Sequence, residues 1–302
     1  MSAPNGIFHE MLRNNWSKLS PTDQRLADYL LRSYPRFLFQ TASEIARELG
    51  TSISTVTRFF PKIGFKNIRE AYSALREQAN FVVDSPLDRY RQRHLRAPGT
   101  DILFEETLET DLSNLQNTFA SLDNSAVQRF IKLISDSKRT IYILGSRKVF
   151  ALAYYLFIQL AAVRNRVSLV RTDNFFMVET VLETTSNDVL IIFDFRRYPR
   201  VHLQTAEQCK EQGATLIGIV DSQLAPVAQL ADLVFKVETR SVSAFDSYTS
   251  AVSLINALIA GLVKHFGENA RKRYERMEQV YRHFDVWSWQ GPIARKFVKA
   301  SK

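Results

Sequence analysis

Hydroxyl side chains are concentrated at the start of one predicted helix in the first quarter of the chain. Ser52, Ser54, Thr55 and Thr57 occupy its first turns, and Arg58 follows directly. Short hydroxyl side chains at a helix N-terminus let the backbone approach a nucleic-acid groove and can donate to phosphate or base-edge oxygens. The guanidinium of Arg58 presents two parallel donors, which match the two acceptors of guanine in the major groove. These residues predict contact with double-stranded DNA.

These residues belong to the second helix of a predicted helix-turn-helix over residues 41–64. The first helix carries Ala46, a small residue at the point where the two helices must cross closely. Gly50 supplies the tight turn between them, and Ile53 and Val56 are expected to fill their interface. The alternative is a small helical bundle in which serine and threonine serve only as helix caps.

Pro61 sets the expected end of this second helix. Proline lacks a backbone N–H and disfavours helical backbone at the residue before it, here Phe60. We therefore expect the helix to end or kink near Phe60 and to leave Lys62 and Lys66 on a turn. There the two lysines are expected to contact DNA phosphates and to contribute affinity rather than sequence choice. Solvated surface lysines are the alternative.

Positive charge is concentrated in the same region. Residues 1–100 contain 15 Lys and Arg against 9 Asp and Glu, a net charge of +6, and the rest of the chain carries +3 of the total +9. An excess of positive charge in one small region favours a polyanionic partner, of which nucleic acid is the commonest. A moderately basic surface that only aids solubility is the alternative.

From residue 101 onward, short runs rich in Val, Ile and Leu alternate with helical segments. The predicted strands span residues 140–144, 167–170, 189–195, 215–220 and 233–237. Continuous apolar strands with intervening helices predict a parallel sheet covered by helices on both faces. The expected fold is an all-α helix-turn-helix N-terminal domain followed by a doubly wound α/β domain. Ligands of such sheets lie beyond the carboxyl ends of the strands.

Composition divides the chain into four segments. We expect a helical DNA-binding domain in residues 1–83, a linker and connecting helix in 84–122, an α/β sensor domain in 123–267, and a C-terminal helix with a basic tail in 268–302. The linker holds Pro86 and several arginines but few apolar residues. Within the sensor domain, Ser125 is expected to cap a helix through Ile134, and another helix is expected to run through Leu230.

Two loops at the expected ligand edge of the sheet are rich in basic residues. The first loop contains Gly145, Ser146, Arg147 and Lys148, and the second contains Asp194, Arg196, Arg197, Tyr198 and Arg200. Arginine forks match carboxylate and phosphate oxygens two at a time. We expect these loops to hold a small anionic effector, with Ser243 or Ser247 reaching in before the last long helix. Ion pairs with nearby carboxylates, or a place in a subunit interface, are the alternatives for the arginines.

The helix-turn-helix segment resembles the RpiR (MurR/RpiR) family of bacterial transcription regulators. The family signature is a hydroxyl-capped helix, Thr-Val-x-Arg-Phe and a closing Leu/Ile-Gly-Phe, and it is matched by Ser52, residues 55–59 and residues 63–65. The resemblance implies a C-terminal sugar isomerase (SIS) domain that senses a phosphosugar.

The loops that hold the phosphosugar in that family are altered in this sequence. The resemblance implies a Gly-x-Gly-x-Ser turn and a Ser-x-Ser-Gly-x-Thr loop, whose hydroxyls and backbone N–H groups hold a phosphate. Here Arg147 replaces the second glycine, and Val149, Phe193, Phe195 and Tyr198 fill the hydroxyl positions. We expect side-chain charge to capture the anion instead, so that sugar phosphates and organic acids are both candidates.

Catalysis is the competing function, because some relatives with SIS domains are isomerases. A phosphosugar isomerase needs a poised base beside the sugar carbonyl. The candidates are His202, which lies near a strand-end loop and is expected on a helix surface, and Glu179, at a helical position that could equally be solvated. No Ser/His/Asp, metal-ligand or phosphate-loop spacing accompanies them, so we expect no enzyme activity, no cofactor and no metal. A ligand-free oligomer that binds DNA constitutively is a further alternative, which would explain the lost hydroxyls.

Location and assembly are also constrained by composition. The single cysteine, Cys209, excludes an intrachain disulfide and a multi-thiolate metal site. The longest apolar run, residues 150–163, is broken by Gln159 and is too short to span a bilayer. With no secretion signal apparent, we expect a cytoplasmic protein without membrane contact. A homodimer or homotetramer is expected, because one small helical module neutralises few phosphates. Helices near 151–163 and 246–266 are expected to contribute.

Overall fold

A computed structural model describes residues 7–34, 36–78, 86–87, 89–90, 102–171 and 174–287 of the chain. Of the predicted linker arginines, Arg89 is described, whereas Arg91, Arg93 and Arg96 lie outside the described residues, as do Trp289 and the basic end. Within the described residues the chain forms a helical N-terminal region and an α/β C-terminal region.

The N-terminal region consists of short helices around one buried core. Its α-helices are α1 (Ile7–Asn15), α2 (Pro21–Arg32), α3 (Ala42–Leu49), α4 (Ile53–Lys62) and α5 (Ile68–Gln78). Their apolar faces meet around fully buried side chains that include Phe37, Ile45, Phe59 and Phe60. This core holds α3 and α4 together, so the two helices of the predicted helix-turn-helix are packed against each other.

Local signals set the helix ends as the sequence predicts. The side chain of Ser20 caps α2, which begins at Pro21, and the side chain of Thr41 caps α3. Gly50 ends α3 in the left-handed backbone region, with φ of 62°, which glycine adopts without steric cost. Ser52 then caps α4 by accepting from the backbone N–H of Thr55. The turn expected at Gly50 and the cap expected at Ser52 are confirmed.

The expected effect of Pro61 is wrong. α4 continues through Pro61 to Lys62, and Phe60 stays helical and fully buried. Because Pro61 lies in the last turn, its missing N–H removes a single bond near a helix end. Lys62 is therefore on the helix rather than on a turn, whereas Lys66 lies on a bend between α4 and α5.

The C-terminal region contains five strands among helices. Its elements are α6 (Leu103–Ala120), α7 (Asn124–Ser135), β1 (Ile141–Leu144), α8 (Phe150–Val163), β2 (Val167–Val170), α9 (Asn174–Glu183), β3 (Val189–Asp194), α10 (Arg200–Glu211), β4 (Thr215–Val220), β5 (Leu233–Lys236), α11 (Thr249–Phe266) and α12 (Glu268–His283). The strand and helix order agrees with the doubly wound α/β fold that the sequence predicts.

The strands form one parallel sheet in the order β2-β1-β3-β4-β5. β1 lies between β2 and β3, and Ile143 pairs with Leu169 on one side and with Ile191 on the other. The chain order therefore reverses at β1 and β3. Because ligands of open α/β sheets lie where the strand order reverses, the loops after β1 and β3 are the expected binding loops.

Alternating strand residues feed two cores, one on each face of the sheet. α7, α8 and α11 cover the face that carries Ile143 and Ile191. α10 packs on the opposite face, where Leu144 and Leu190 meet the fully buried thiol of Cys209. Burial on both faces accounts for the continuous apolar runs in the strands.

Two local expectations in this region are wrong. Asp123, not Ser125, caps α7, since the Asp123 carboxylate accepts from the backbone N–H of Ser125 at 2.9 Å. The predicted helix through Leu230 is a single 3-10 turn, Val227–Gln229.

One helix of the described part, α11, is long and apolar enough to cross a membrane by length and composition. In this structure Leu254, Ile255 and Leu258 of α11 are buried in the core beside α7 and α8. α12 follows after Gly267 and confirms the predicted C-terminal helix. The guanidinium of Arg273 on α12 donates to the carbonyl oxygens of Ala161 and Ala162, which fixes α12 against α8.

Candidate DNA-binding helix and anion-binding cavity

α4 presents a polar surface at its N-terminal end. Ser52 and Ser54 are exposed, and the Ser52 and Thr55 hydroxyls lie 2.9 Å apart. The Thr57 hydroxyl donates to the carbonyl of Ser54 at 3.2 Å, and Arg58 is exposed one turn into the helix. The structure thus brings the predicted hydroxyl groups and Arg58 together on a surface helix. Their contact with DNA stays a prediction.

Lys62 forms an ion pair within its own domain. Its ammonium lies 2.9 Å and 2.7 Å from the two carboxylate oxygens of Asp23 on α2. Asp23 is buried, so this ion pair ties the end of α4 to α2. Lys66 is exposed beyond the helix. Of the two lysines predicted to contact phosphate, Lys66 is thus the more available.

Ile53 does not fill the interface between α3 and α4, contrary to expectation. Its residue surface is 54% exposed at the first position of α4, whereas Val56 is fully buried. An apolar side chain beside the hydroxyl groups suits contact with a thymine methyl in the major groove. Ile53 is the first residue of α4, directly after the Ser52 cap, and at this end of the helix its side chain stays at the surface.

A cavity of about 280 Å³ lies at the carboxyl ends of β1 and β3. It is lined by residues from the two predicted loops, from the segment before α11 and from the segment between α5 and α6: Pro86, Arg89, Ser146, Arg147, Lys148, Val149, Phe195, Arg196, Arg197, Pro199, Phe245, Asp246 and Tyr248. Five of these side chains are cationic and one is acidic. The lining therefore favours an anion.

The loop after β1 is shaped by two residues. A Cβ at Gly145 would lie 2.7 Å from the carbonyl oxygen of Val149, so only glycine fits there. Arg147 has φ of 52°, in the left-handed region, at the position where the resemblance implies glycine. The hydroxyl of Ser146 is buried at the cavity and has no hydrogen-bond partner among the described residues. A bound anion would supply an acceptor for it.

Arg196 is fixed by hydrogen-bond and ion-pair partners and does not point freely into the cavity. Its backbone N–H donates to Asp221 at 3.1 Å, and its Nε lies 3.3 Å from the same carboxylate. Its Nη2 donates to the Thr239 hydroxyl at 3.1 Å. The predicted role of Arg196 as a cavity residue is compatible with this geometry. Arg197, which is exposed, is the less constrained of the two.

Asp246 is the acidic residue of the cavity and has cations on three sides. Its Oδ1 lies 2.9 Å from Nη1 of Arg89 and 3.2 Å from Nε of Arg196, and its Oδ2 lies 4.0 Å from Nζ of Lys148. Lys148 also lies 5.0 Å from the ring centroid of Phe245. A buried carboxylate requires such compensation, and the cations still outnumber it.

The remaining predicted site residues lie behind or beside the cavity. The buried Asp194 contacts Nδ1 of His202 at 3.0 Å, and the hydroxyl of Tyr198 donates to Asp221 at 2.7 Å. The predicted surface position of His202 is wrong, since the ring is fully buried.

Three predicted effector residues make contacts of their own outside the cavity. Arg200 pairs with Glu44 of α3, which joins the start of α10 to the N-terminal region. The Ser247 hydroxyl donates to Asp111 of α6, and Ser243 bonds within its own loop. None of the three lines the cavity. Their predicted part in effector binding is not supported by their placement.

Burial and charge shift the pKa of two groups around the cavity. Burial raises the pKa of Asp221 to about 6, against the opposing effects of Tyr198 and Arg196. Burial, together with neighbouring guanidinium groups that include Arg147, lowers the pKa of Lys148 although Asp246 opposes this. The cavity is thus a region of positive potential.

Comparison with known proteins agrees with both halves of the structure. The family model of the helix-turn-helix domain of the rpiR family matches residues 7–80, and the model of the SIS domain matches residues 133–261. Together the two segments cover about two-thirds of the chain. The chain belongs to the RpiR family. The resemblance of its signature to that family is thereby confirmed.

Relatives of this RpiR-family chain share its full two-part layout. A helix-turn-helix transcriptional regulator of Clostridium perfringens, itself uncharacterised, is 24% identical over 282 residues, which cover 90% of this chain and 98% of the relative. The Vibrio vulnificus NanR protein, solved in complex with ManNAc-6P, superposes with a TM-score of 0.57 at 16% identity over 93% of this chain and 99% of that chain.

The SIS region also matches on its own. The sugar isomerase domain of an RpiR transcription factor from Sphaerobacter thermophilus superposes with a TM-score of 0.56 at 21% identity, covering 59% of this chain and 99% of that chain. At these identities the superpositions establish the fold. The two family models, rather than the superpositions, identify the chain as a helix-turn-helix transcription regulator of the RpiR family with a SIS domain.

Proposed function

We propose that this RpiR-family regulator binds operator DNA through α4 and a small anionic metabolite in the cavity beyond β1 and β3. Occupancy of the cavity then changes the affinity for the operator. The protein acts in the cytoplasm, where it reaches both DNA and metabolites. The observation that carries the proposal is the cavity itself, at the reversal of the strand order, with five cationic side chains against one carboxylate.

A sugar phosphate is the first ligand class to test, and organic acids are the second. The NanR structure contains ManNAc-6P, which makes N-acetylmannosamine 6-phosphate a reasonable first probe for a chain of the same fold. Arg147 and Arg197 are both exposed at the cavity and supply planar forks for phosphate or carboxylate oxygens. Tyr248 offers a ring beside them.

Catalysis is not part of the proposal. An isomerase needs a base beside the sugar, and Asp246 is the carboxylate among the described cavity residues. Its Oδ1 lies against the guanidinium groups of Arg89 and Arg196, which leaves the carboxylate poorly placed to accept a substrate proton. Glu179 is exposed on α9 and does not line the cavity.

We also propose that the protein acts as a dimer or a dimer of dimers. Two α4 helices on one duplex are required for useful affinity at cellular salt. α8 exposes Tyr154 and Ile158, an apolar surface that a second subunit would cover. α11 contributes less than expected, because most of its apolar side chains are buried in the core.

The experiment measures the two binding events together. Calorimetry of the full chain against inorganic phosphate, N-acetylmannosamine 6-phosphate, other hexose phosphates and citrate identifies the anion class. Fluorescence anisotropy with a promoter fragment, with and without that anion, tests the switch. The variant Arg147→Ala combined with Arg197→Ala is expected to lose anion binding, and the matched control Arg139→Ala, on the opposite edge of the sheet, is expected to retain it.

The alternative function, a ligand-free DNA-binding oligomer, has one observation in its favour. Asp246 already supplies an internal negative charge to Arg89 and Arg196. If no anion in the panel gives a saturable response while the chain binds a promoter fragment selectively, this alternative replaces the sensor.

A further inference from the structure

Arg89 connects the segment between the two domains to the cavity. Its Nη1 lies 2.9 Å from Oδ1 of Asp246, which is 157 positions away in the sequence. The Arg89 side chain is only 10% exposed, and Pro86 lines the same cavity. The segment that leaves the helix-turn-helix domain is therefore bound inside the wall of the SIS-domain cavity.

The carboxylate of Asp246 supplies a negative charge to the cationic side chains of the cavity. The Asp246 side chain is 2% exposed, and cationic groups come to it from three separate segments: Arg89 between the domains, Lys148 after β1 and Arg196 after β3. Arg196 also lies 3.3 Å from Asp221, so two carboxylates face the three cations. The cations still outnumber the carboxylates at the cavity, which favours the approach of a further anion.

We propose that Arg89 is part of the effector site and that a bound anion takes over from Asp246 as its partner. This inference rests on the proposed function, because it names how the same cavity holds its ligand. A guanidinium fork binds a phosphate or carboxylate in a two-bond arrangement, and a second anion beside Asp246 repels that carboxylate. Asp246 therefore competes with the effector.

The consequence is a direct connection from ligand to DNA-binding domain. Arg89 is bonded to the SIS domain through Asp246 in the free protein and through the anion in the occupied protein. A ligand shifts an equilibrium only by its differential affinity for two states, and Arg89 supplies such a difference at the segment that carries the helix-turn-helix domain. Loss of Arg89 should thus weaken both anion binding and its effect on DNA.

The test is a double-mutant cycle on the full chain. Calorimetry with N-acetylmannosamine 6-phosphate and with inorganic phosphate compares wild type, Arg89→Gln, Asp246→Asn and the double variant. Arg89→Gln is expected to weaken anion binding about tenfold, the effect of one lost charge-assisted hydrogen bond. Asp246→Asn is expected to strengthen it, because the competing charge is gone. Arg89→Gln should still weaken binding in the Asp246→Asn background.

Two further variants show whether a loss of anion binding comes from misfolding. Arg89→Lys keeps the charge without the fork and is expected to give an intermediate affinity. Arg139→Gln removes a partly buried arginine that pairs with Asp136 before β1, away from the cavity, and it is expected to match wild type. In anisotropy with a promoter fragment, the anion-induced change in DNA affinity is expected to shrink in Arg89→Gln and to persist in Arg139→Gln.

Several results would overturn the inference. Equal anion affinity for wild type and Arg89→Gln removes Arg89 from the site while leaving the proposed function intact. An Arg89→Gln effect that disappears in the Asp246→Asn background means that Arg89 only neutralises Asp246. A wild-type chain that binds neither sugar phosphates nor phosphate overturns the proposed function and this inference with it.

Discussion

Nζ of Lys62, at the end of α4, lies 2.7 Å from Oδ2 of the buried Asp23 on α2. Burial by itself raises the pKa of Asp23, but hydrogen bonds from Lys62 and Ser20 outweigh it and the net pKa is lowered. The same carboxylate completes the capping box that starts α2. One ion pair thus links the start of α2 to the end of α4, the helix proposed to bind DNA.

We predict that Lys62→Met lowers the stability of the N-terminal region by about 1–3 kcal/mol, because a buried carboxylate loses a charged partner. The folded-state pKa of Asp23 lies below its unfolded value, so this stabilisation is present at neutral pH and is lost as the pH falls through the folded pKa. Urea unfolding at pH 7 and at pH 3 measures the difference, which should shrink in acid. The control is Lys66→Met, at an exposed position. Unchanged stability with weakened DNA binding would return Lys62 to the DNA interface.

We predict that Arg58→Ala weakens binding to a specific promoter fragment by about 1–3 kcal/mol. The difference in binding free energy between that fragment and a random duplex should therefore decrease. Lys66→Ala should instead weaken both duplexes alike and reduce the salt dependence of binding, as expected for a phosphate contact. Anisotropy titrations at several salt concentrations separate the two patterns. If Arg58→Ala lowers both affinities equally, Arg58 contacts phosphate rather than a base.

We predict that Gly145→Ala disrupts the loop after β1. The added Cβ would lie 2.7 Å from the carbonyl oxygen of Val149 and 3.0 Å from Cβ of Ala153, a backbone contact that no side-chain rotation relieves. Thermal unfolding is expected at a lower temperature, with weaker anion binding. Gly50→Ala is a useful comparison, since its Cβ meets nothing within 4 Å and its cost comes only from the left-handed backbone. A Gly145→Ala protein with native stability would show that the loop moves aside freely.

We predict a pH dependence of stability that originates at Asp221. Its folded pKa of about 6 exceeds the unfolded value near 3.8, so the folded state binds more protons between these values and stability declines as the pH rises through that window. The difference amounts to on the order of 3 kcal/mol. Asp221→Asn keeps an acceptor for Tyr198 but cannot ionise, so its stability relative to wild type should increase with pH. Urea unfolding from pH 4.5 to 7.5 tests this, with exposed Asp28→Asn as the control. A constant difference between Asp221→Asn and wild type would assign the slope to other groups.

The helices and strands were predictable because their signals are local. Capping residues such as Ser20 and Ser52, and Gly50 with its positive φ, act on the backbone within a few positions. The meeting of Arg147 with Arg196 followed from topology, since carboxyl ends of parallel strands share one edge. Pro61 was misjudged because a proline in the last turn costs little.

Specific pairings between side chains of different elements were not predictable. Arg89 and Asp246 are 157 positions apart, and no periodicity in either segment indicates that they meet. The burial of His202 depends on its contact with Asp194, which lies across the loop after β3 rather than on the same helix face. Asp221 and Thr239 belong to the same class, because Asp221 acts through its contacts with Arg196 and Tyr198, and Thr239 through its contact with Arg196.

The lone thiol of Cys209 has a practical consequence. It lies on the face of α10 that packs against the sheet and has no exposed surface, and burial raises its pKa, so a thiol reagent reaches it only when α10 separates from the sheet. The rate of modification under native conditions therefore reports how often this layer opens. The reaction rate of this one thiol therefore measures local opening of the α/β region, and no label has to be engineered into the protein.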